Sequence, residues 1–176
     1  MGDWEIEIQL SSGAVMGSVV TAQPSPAVFN TGQVIFGWLA AYKVTKNLKY
    51  IKAALKAGDY LLSVQSSDCS WQEGDSKFAL KGATTYNTRV AWALIELGSE
   101  IKEEKYILSG KKNIELALSK QLDNGGFSDN CLNVPENPLL HTIVYATRGI
   151  LESGICLDKT EYINAALKTL DSLIKC

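Results

Sequence analysis

Three strongly apolar blocks punctuate the chain: Val34 to Leu39, Val90 to Ile95, and Ile143 to Ala146. They are apolar nearly all round, which predicts helices buried on most sides. Each is followed by a stretch, around Tyr50, Tyr106 and Tyr162, where apolar residues recur at spacings of three and four with lysines between. That pattern predicts an outer, amphipathic helix. Short polar links (near Asn47, Glu103 and Lys159) join each inner helix to its outer mate. Longer segments, roughly 10–29, 66–85 and 122–140, lead to the next inner helix.

The pattern repeats with a period of 56 residues. Gln9, Gln65 and Gln121 share a column, as do Tyr50, Tyr106 and Tyr162, and the acids Asp3, Asp59, Glu115 and Asp171. Trp4, Tyr60 and Leu116 match in bulk, and Ala54, Gly110 and Ala166 match in smallness. Matching sizes across units imply matching packing. The reading is an all-α fold of three helical hairpins, about 30–65, 86–121 and 141–176, in one domain spanning 1–176. They are preceded by the tail of an earlier outer helix. The alternation of short and long links puts every long link, and the N-terminus of every inner helix, at one end. Free N–H groups and partial positive charge there suit anionic or hydroxyl-rich ligands.

Composition narrows the function classes. The chain has 176 residues, 17 basic and 19 acidic side chains, and a net charge of −2. With no basic stripe, a nucleic-acid partner is not expected. No apolar run reaches the length of a membrane span, and the start lacks a signal-peptide pattern, so the expectation is a cytoplasmic protein without a membrane partner. The four cysteines are unevenly spaced and include no CxxC pair, which reads as free thiols.

The Gln-x-x-x-Gly-x-aromatic turn closing an outer helix (Gln121, Gly125, Phe127) resembles the QW-type repeat of terpenoid cyclases and protein prenyltransferase β subunits. The hairpin pattern is also similar to the α/α-toroids of unsaturated glucuronyl hydrolases, N-acylglucosamine 2-epimerases and glucuronyl C5-epimerases. The strings Val28 to Val34, Thr85 to Trp92 and Pro138 to Tyr145 resemble an α/α-toroid group that accompanies polysaccharide biosynthesis. The resemblance implies an incomplete α/α toroid, since a complete ring holds about twice the three hairpins read here. It implies either a homodimer that closes the ring or a missing N-terminal half. It also implies a saccharide-handling protein: an epimerase, lyase or hydrolase on an acidic sugar or glycan. The alternatives are a non-catalytic module for glycan binding or assembly, and a prenyltransferase-like zinc enzyme.

Candidate residues cluster at the inner-helix starts. Asn30 with Thr31, and Asn87 with Thr88, read as N-caps or as ligand contacts. Gln33 and Arg89 share a column one turn inside; Arg89 suits a carboxylate in bidentate fashion or a structural ion pair. Tyr86 and His141 sit at equivalent helix entries; either reads as a proton-transfer group, and His141 equally as a hydrogen-bonded cap, with Arg89 completing the catalytic set. Arg148, two turns deeper than His141, reads as a ligand contact or as a structural residue, and the loop aromatics Trp71, Phe78 and Phe127 are candidate sugar contacts. For Trp71 and Phe127 the repeat favours a packing role. No cofactor is expected, the zinc alternative being Asp129, Cys131 and His141. Two-carboxylate hydrolysis needs a suitable pair, and none stands out among Asp68, Glu73, Asp75, Asp123, Asp129 and Glu136. The Asp-x-Asp-Asp motif of terpene cyclases, a P-loop, a dinucleotide fingerprint and a nucleophile elbow are all missing.

Overall fold

A computed structural model of the chain describes residues 1–17, 23–72, 80, 82, 84–134 and 137–175. Phe78, Glu73, Asp75, Glu136 and Cys176 lie outside the described residues. Among those described, the structure is all-α. Its helices are α1 (Gly2–Glu7), α2 (Val28–Thr45), α3 (Leu48–Ser63), α4 (Thr88–Ile101), α5 (Glu104–Ser119), α6 (Leu140–Cys156) and α7 (Thr160–Ile174), with a 3₁₀ turn at Thr85–Asn87 leading into α4. None of them is long and apolar enough to cross a membrane.

Helices α2, α4 and α6 pack side by side, and α3, α5 and α7 each pack on the preceding one of the three. The outer helices barely touch one another, so the layer formed by α2, α4 and α6 is the narrower side of the assembly. Its core is built of Ile35, Trp38, Val90, Leu94, Ile95, Leu97 and Ile150 against Leu61, Tyr106, Ile114 and Tyr162. Small residues allow this closeness. A Cβ on Gly110 would stand 2.6 Å from the Ala91 carbonyl oxygen, so α5 rests nearly backbone to backbone on α4.

The same local devices recur 56 residues apart. The residues ending or following α2, α4 and α6 at Lys46, Lys102 and Asp158 have φ of 57°, 60° and 53°, the left-handed turn that commonly ends a helix. Gln9 Nε2 donates to the Ala53 carbonyl at 3.0 Å, Gln65 Nε2 to Ser109 at 3.3 Å and Gln121 Nε2 to Ala165 at 2.8 Å. Each glutamine thus ties the end of one outer helix to the backbone of the next. Tyr50 donates to Asp3, Tyr106 to Asp59 and Tyr162 to Glu115. Burial, reinforced by the bond to Asp59, pushes the Tyr106 hydroxyl up to about 12. Burial and Glu115 do the same for Tyr162, also to about 12.

The turn after each glutamine needs a left-handed residue, and Gly13 (φ 93°) and Gly125 (φ 83°) supply it. In the middle copy the position holds Cys69 at φ 69°, where a Cβ crowds its own backbone. Cys69→Gly relieves that cost and loses some of the gain to the looser unfolded chain. The expected net is a stabilisation of about 0.5–1 kcal/mol, seen as a raised midpoint in urea denaturation.

Candidate functional site

The face of α2, α4 and α6 turned away from the outer helices carries a mixed polar and aromatic surface. Three columns line it: Gln33, Arg89 and Tyr145; Phe36, Trp92 and Arg148; and Ala40, Glu96 and Glu152. Arg89 is half-buried. Its Nε donates to Gln33 Oε1, and its guanidinium carbon stands 5.2 Å from the Tyr145 ring centre and 5.8 Å from that of Trp92. Arg148 approaches Trp92 as well, at 5.5 Å. Phe36 packs on Trp92 with ring centres 4.1 Å apart.

Trp92 is therefore approached by two guanidinium groups, which aromatic faces attract. Burial, and next the nearby Arg148 cation, pull the Arg89 guanidinium below its ordinary value, though an arginine stays charged at any physiological pH. Arg148 has an acid in reach, Glu152 at 3.5 Å. Glu96 is engaged by Lys43 at 3.7 Å and by the Trp92 indole N–H at 3.3 Å. Arg89 has no carboxylate within 4 Å among the described residues. The surface thus holds two cations and two acids, but Glu96 is taken up by Lys43 and Trp92 and Glu152 by Arg148, which leaves Arg89 as the cation open to an anionic ligand.

His141 is exposed in the first turn of α6 and meets the Tyr145 ring edge-on at 5.8 Å. Tyr145 is thereby the common neighbour of His141 and Arg89. Tyr145 also meets Phe29 at 5.2 Å, and Phe29 meets Tyr86 at 5.8 Å. Tyr86 itself is buried, so it forms part of the floor and not of the accessible surface. Of the three candidate catalytic residues, Arg89 and His141 share this surface and Tyr86 lies beneath its edge.

The binding candidates divide similarly. Trp71 is fully buried, with its indole N–H given to the Leu61 carbonyl at 2.9 Å. That corrects the stacking role: no ring face is left for a sugar. Phe127 occupies the same column and is also buried. Asn87 is buried at the end of the 3₁₀ turn and its side chain does not cap α4. Asn30 is not a cap either. α2 begins two residues earlier, at Val28, and the Asn30 amide donates to the Met16 carbonyl at 3.1 Å. The early start follows from Ala27, whose N–H is held by the Val15 carbonyl in an extended pairing. Thr31 also differs from a cap: its hydroxyl donates to Ala27 and accepts from the Val15 N–H.

For zinc, Asp129 is paired with Lys120 at 3.0 Å, Cys131 is fully buried and His141 is exposed. Among the described residues no three such side chains are grouped so as to hold a metal ion.

Trp92, Tyr145, Phe36, Glu96 and Glu152 join the surface although the sequence reading did not single them out. The signal was present: extending the column of Gln33 and Arg89 by one period reaches Tyr145, and the column of Arg148 contains Trp92. Beside α2 a further groove, of about 310 Å³, is lined by Trp4, Ile8, Asn30, Gln33 and Val34. Set against known proteins, the chain matches no family model, and no curated protein matches it.

Proposed function

We propose that this protein is an arc of an α/α toroid whose inner-helix face takes an acidic sugar or glycan. The single observation that carries the reading is the Arg89, Trp92 and Arg148 cluster. Two guanidinium groups approach one indole, and Arg89 has no acid partner within 4 Å among the described residues. A uronic-acid carboxylate matches the arginine fork in charge and shape, while Trp92 and Tyr145 offer rings against the apolar face of a pyranose. His141, next to Tyr145, is the proton-transfer candidate for epimerase, lyase or hydrolase chemistry at that site. The alternation of long and short links and the 56-residue recurrence of Gln and Tyr contacts support the toroid assignment.

Calorimetric titration with a uronic-acid oligosaccharide and its neutral counterpart tests the reading. The acidic ligand is expected to bind and the neutral one to bind far more weakly. Losing a charge-assisted pair in Arg89→Ala weakens the acidic ligand about 10- to 100-fold, and Arg89→Lys restores only part of that, because a point charge replaces a fork. Equal binding of the two ligands, or an unchanged affinity in Arg89→Ala, removes the reading. Product analysis on the bound glycan then separates an enzyme from a non-catalytic binding module.

A further inference from the structure

The two flanks of the molecule are the two halves of an interface that it already makes twice internally. Between α2 and α4, a Cβ at Gly32 would stand 3.0 Å from Val90. Between α4 and α6, one period on, the Thr88 hydroxyl donates to the Ala146 carbonyl at 3.0 Å, and Gly149 lies against the Thr88 backbone. In α4 both faces of this contact are filled: Thr88, Val90, Ala93, Ile95 and Leu97 are all 0 % exposed.

The corresponding columns at the ends stand open. On α6 the counterpart of Thr88 is Val144, 42 % exposed, flanked on the same stripe by Leu140 and Ile155, 65 % and 60 % exposed. On α2 the counterparts of Val90, Ala93 and Leu97 are Val34, Gly37 and Ala41. Gly37 is exposed, and a Cβ added there would meet nothing within 4 Å. Its column mate Gly149 is pressed on backbone at 2.4 Å. An apolar stripe thus ends one flank, and a small-residue notch beside the 310 Å³ groove ends the other.

Two further details fit the same partner. Gln33 Nε2 is buried with no hydrogen-bond acceptor among the described residues, an uncommon and costly state. In its column Gln33 bonds Arg89, and Arg89 lies over Tyr145; continuing the series from outside would bring a Tyr145 hydroxyl beside Gln33. At the outer edge, Asp3 of α1 holds Tyr50 at 2.7 Å and Lys49 at 2.8 Å, and Asp171 of α7 is its column mate. Helix α1 buries no residue and spans the same columns as the end of α7. Its other ties to the rest of the chain are few: the Trp38 indole N–H donates to the Gly2 carbonyl at 3.2 Å and Ile6 packs on the core.

We propose that a second copy of this chain docks head to tail, with its α6 stripe of Leu140, Val144 and Ile155 seated on Val34, Gly37 and Ala41. Its α7 displaces α1, and its Asp171 takes over Tyr50 and Lys49. The occupant is a second copy because its flank is already shaped for this notch in the way that α4 and α6 are shaped for their neighbours. The contact joins unlike surfaces, so one chain presents both halves and each can be blocked alone.

Sedimentation equilibrium of the 176-residue chain, from micromolar to millimolar, tests this. Wild type is expected to associate with rising concentration. Gly37→Arg and Val144→Asp, each shown by circular dichroism to stay folded, are expected to weaken association at least tenfold when alone. An equimolar mixture of the two restores a one-to-one pair, since each supplies the half that the other lacks. Asp3→Ala, which loosens α1, strengthens association, and Asp171→Lys weakens it. If Val144→Asp fails to fold, Ile155→Asp serves in its place. A wild type that stays monomeric throughout overturns the proposal, as does pairing that survives each single variant, or a mixture that stays monomeric. Occupation of the notch by a helix of another protein while the chain itself stays monomeric also overturns it.

Discussion

Gly149→Ala is expected to lower stability by about 3 kcal/mol, whereas Gly37→Ala, at the same column of the repeat, raises it by about 1 kcal/mol. A Cβ at Gly149 would stand 2.4 Å from the Thr88 carbonyl carbon and 2.6 Å from the Arg89 nitrogen. These are backbone atoms of a buried helix and have no rotamer into which to retreat. The only relief is to part α6 from α4, which lengthens the Thr88 to Ala146 bond and opens the packing around Ile150 and Val90. At Gly37 the added methyl meets open space within the chain, so at dilutions where no second copy is seated on it only the helix-propensity gain remains. Thermal melting of both variants checks the prediction. For a domain of this size each kcal/mol moves the midpoint by about 2–4 °C, so the two should shift in opposite directions. A Gly149→Ala protein that melts like the wild type would mean that α4 and α6 do not approach this closely.

The same substitution reaches the candidate site. Arg89 is the residue whose backbone nitrogen Gly149 touches, and its side chain lies between Tyr145 of α6 and Gln33 of α2. Close packing of inner helices is therefore what holds the cation over the rings. Separating α4 from α6 moves Arg89 and Tyr145 apart, so ligand affinity falls together with stability in Gly149→Ala. Gly37→Ala leaves it unchanged.

What was legible in the sequence follows from what periodicity encodes. Column matching found the three glutamines and three tyrosines because a contact made three times must keep the same donor at the same spacing, and all six side chains make those bonds. Helix type was legible from apolar spacing, and α2, α4 and α6 fall where the apolar blocks are. Capping was less legible. Asn30 and Asn87 are favoured cap residues, but the pairing of Ala27 with Val15 starts α2 ahead of Asn30, and a 3₁₀ turn carries Asn87 into the interior. Tertiary contacts of the long links decided both, and these leave no local trace. Trp92 was missed for a different reason. It stands in an apolar block and reads as core, yet its column also holds Phe36 and Arg148. A position that takes an arginine in one copy faces solvent in all three, and that inference was available from the column alone.

Trp71→Ala is expected to cost about 3–5 kcal/mol, while Trp71→Phe costs about 1–2 kcal/mol. The ring is 0 % exposed in the turn that follows Gln65, and its removal leaves a void that the surrounding helices cannot fill by collapse. Its indole N–H serves the Leu61 carbonyl, one of the last in α3 and thus among those that the helix itself leaves unpaired. Phenylalanine forfeits that bond but keeps most of the packing. Phe127, buried in the same column one period later, shows that such a turn closes around a phenyl ring. Trp71 also binds the middle long link, because the Thr84 hydroxyl donates to its carbonyl at 3.3 Å. Thr84 in turn opens the path to the 3₁₀ turn before α4, so loosening Trp71 frees the start of the helix that carries Arg89 and Trp92. Chemical denaturation gives the two costs, and titration of the folded fraction gives the ligand affinity. In Trp71→Phe the affinity is expected to stay within about twofold of wild type, since a buried ring contributes to the site only through the backbone that it anchors. A large loss of affinity with little loss of stability would return Trp71 to the ligand surface.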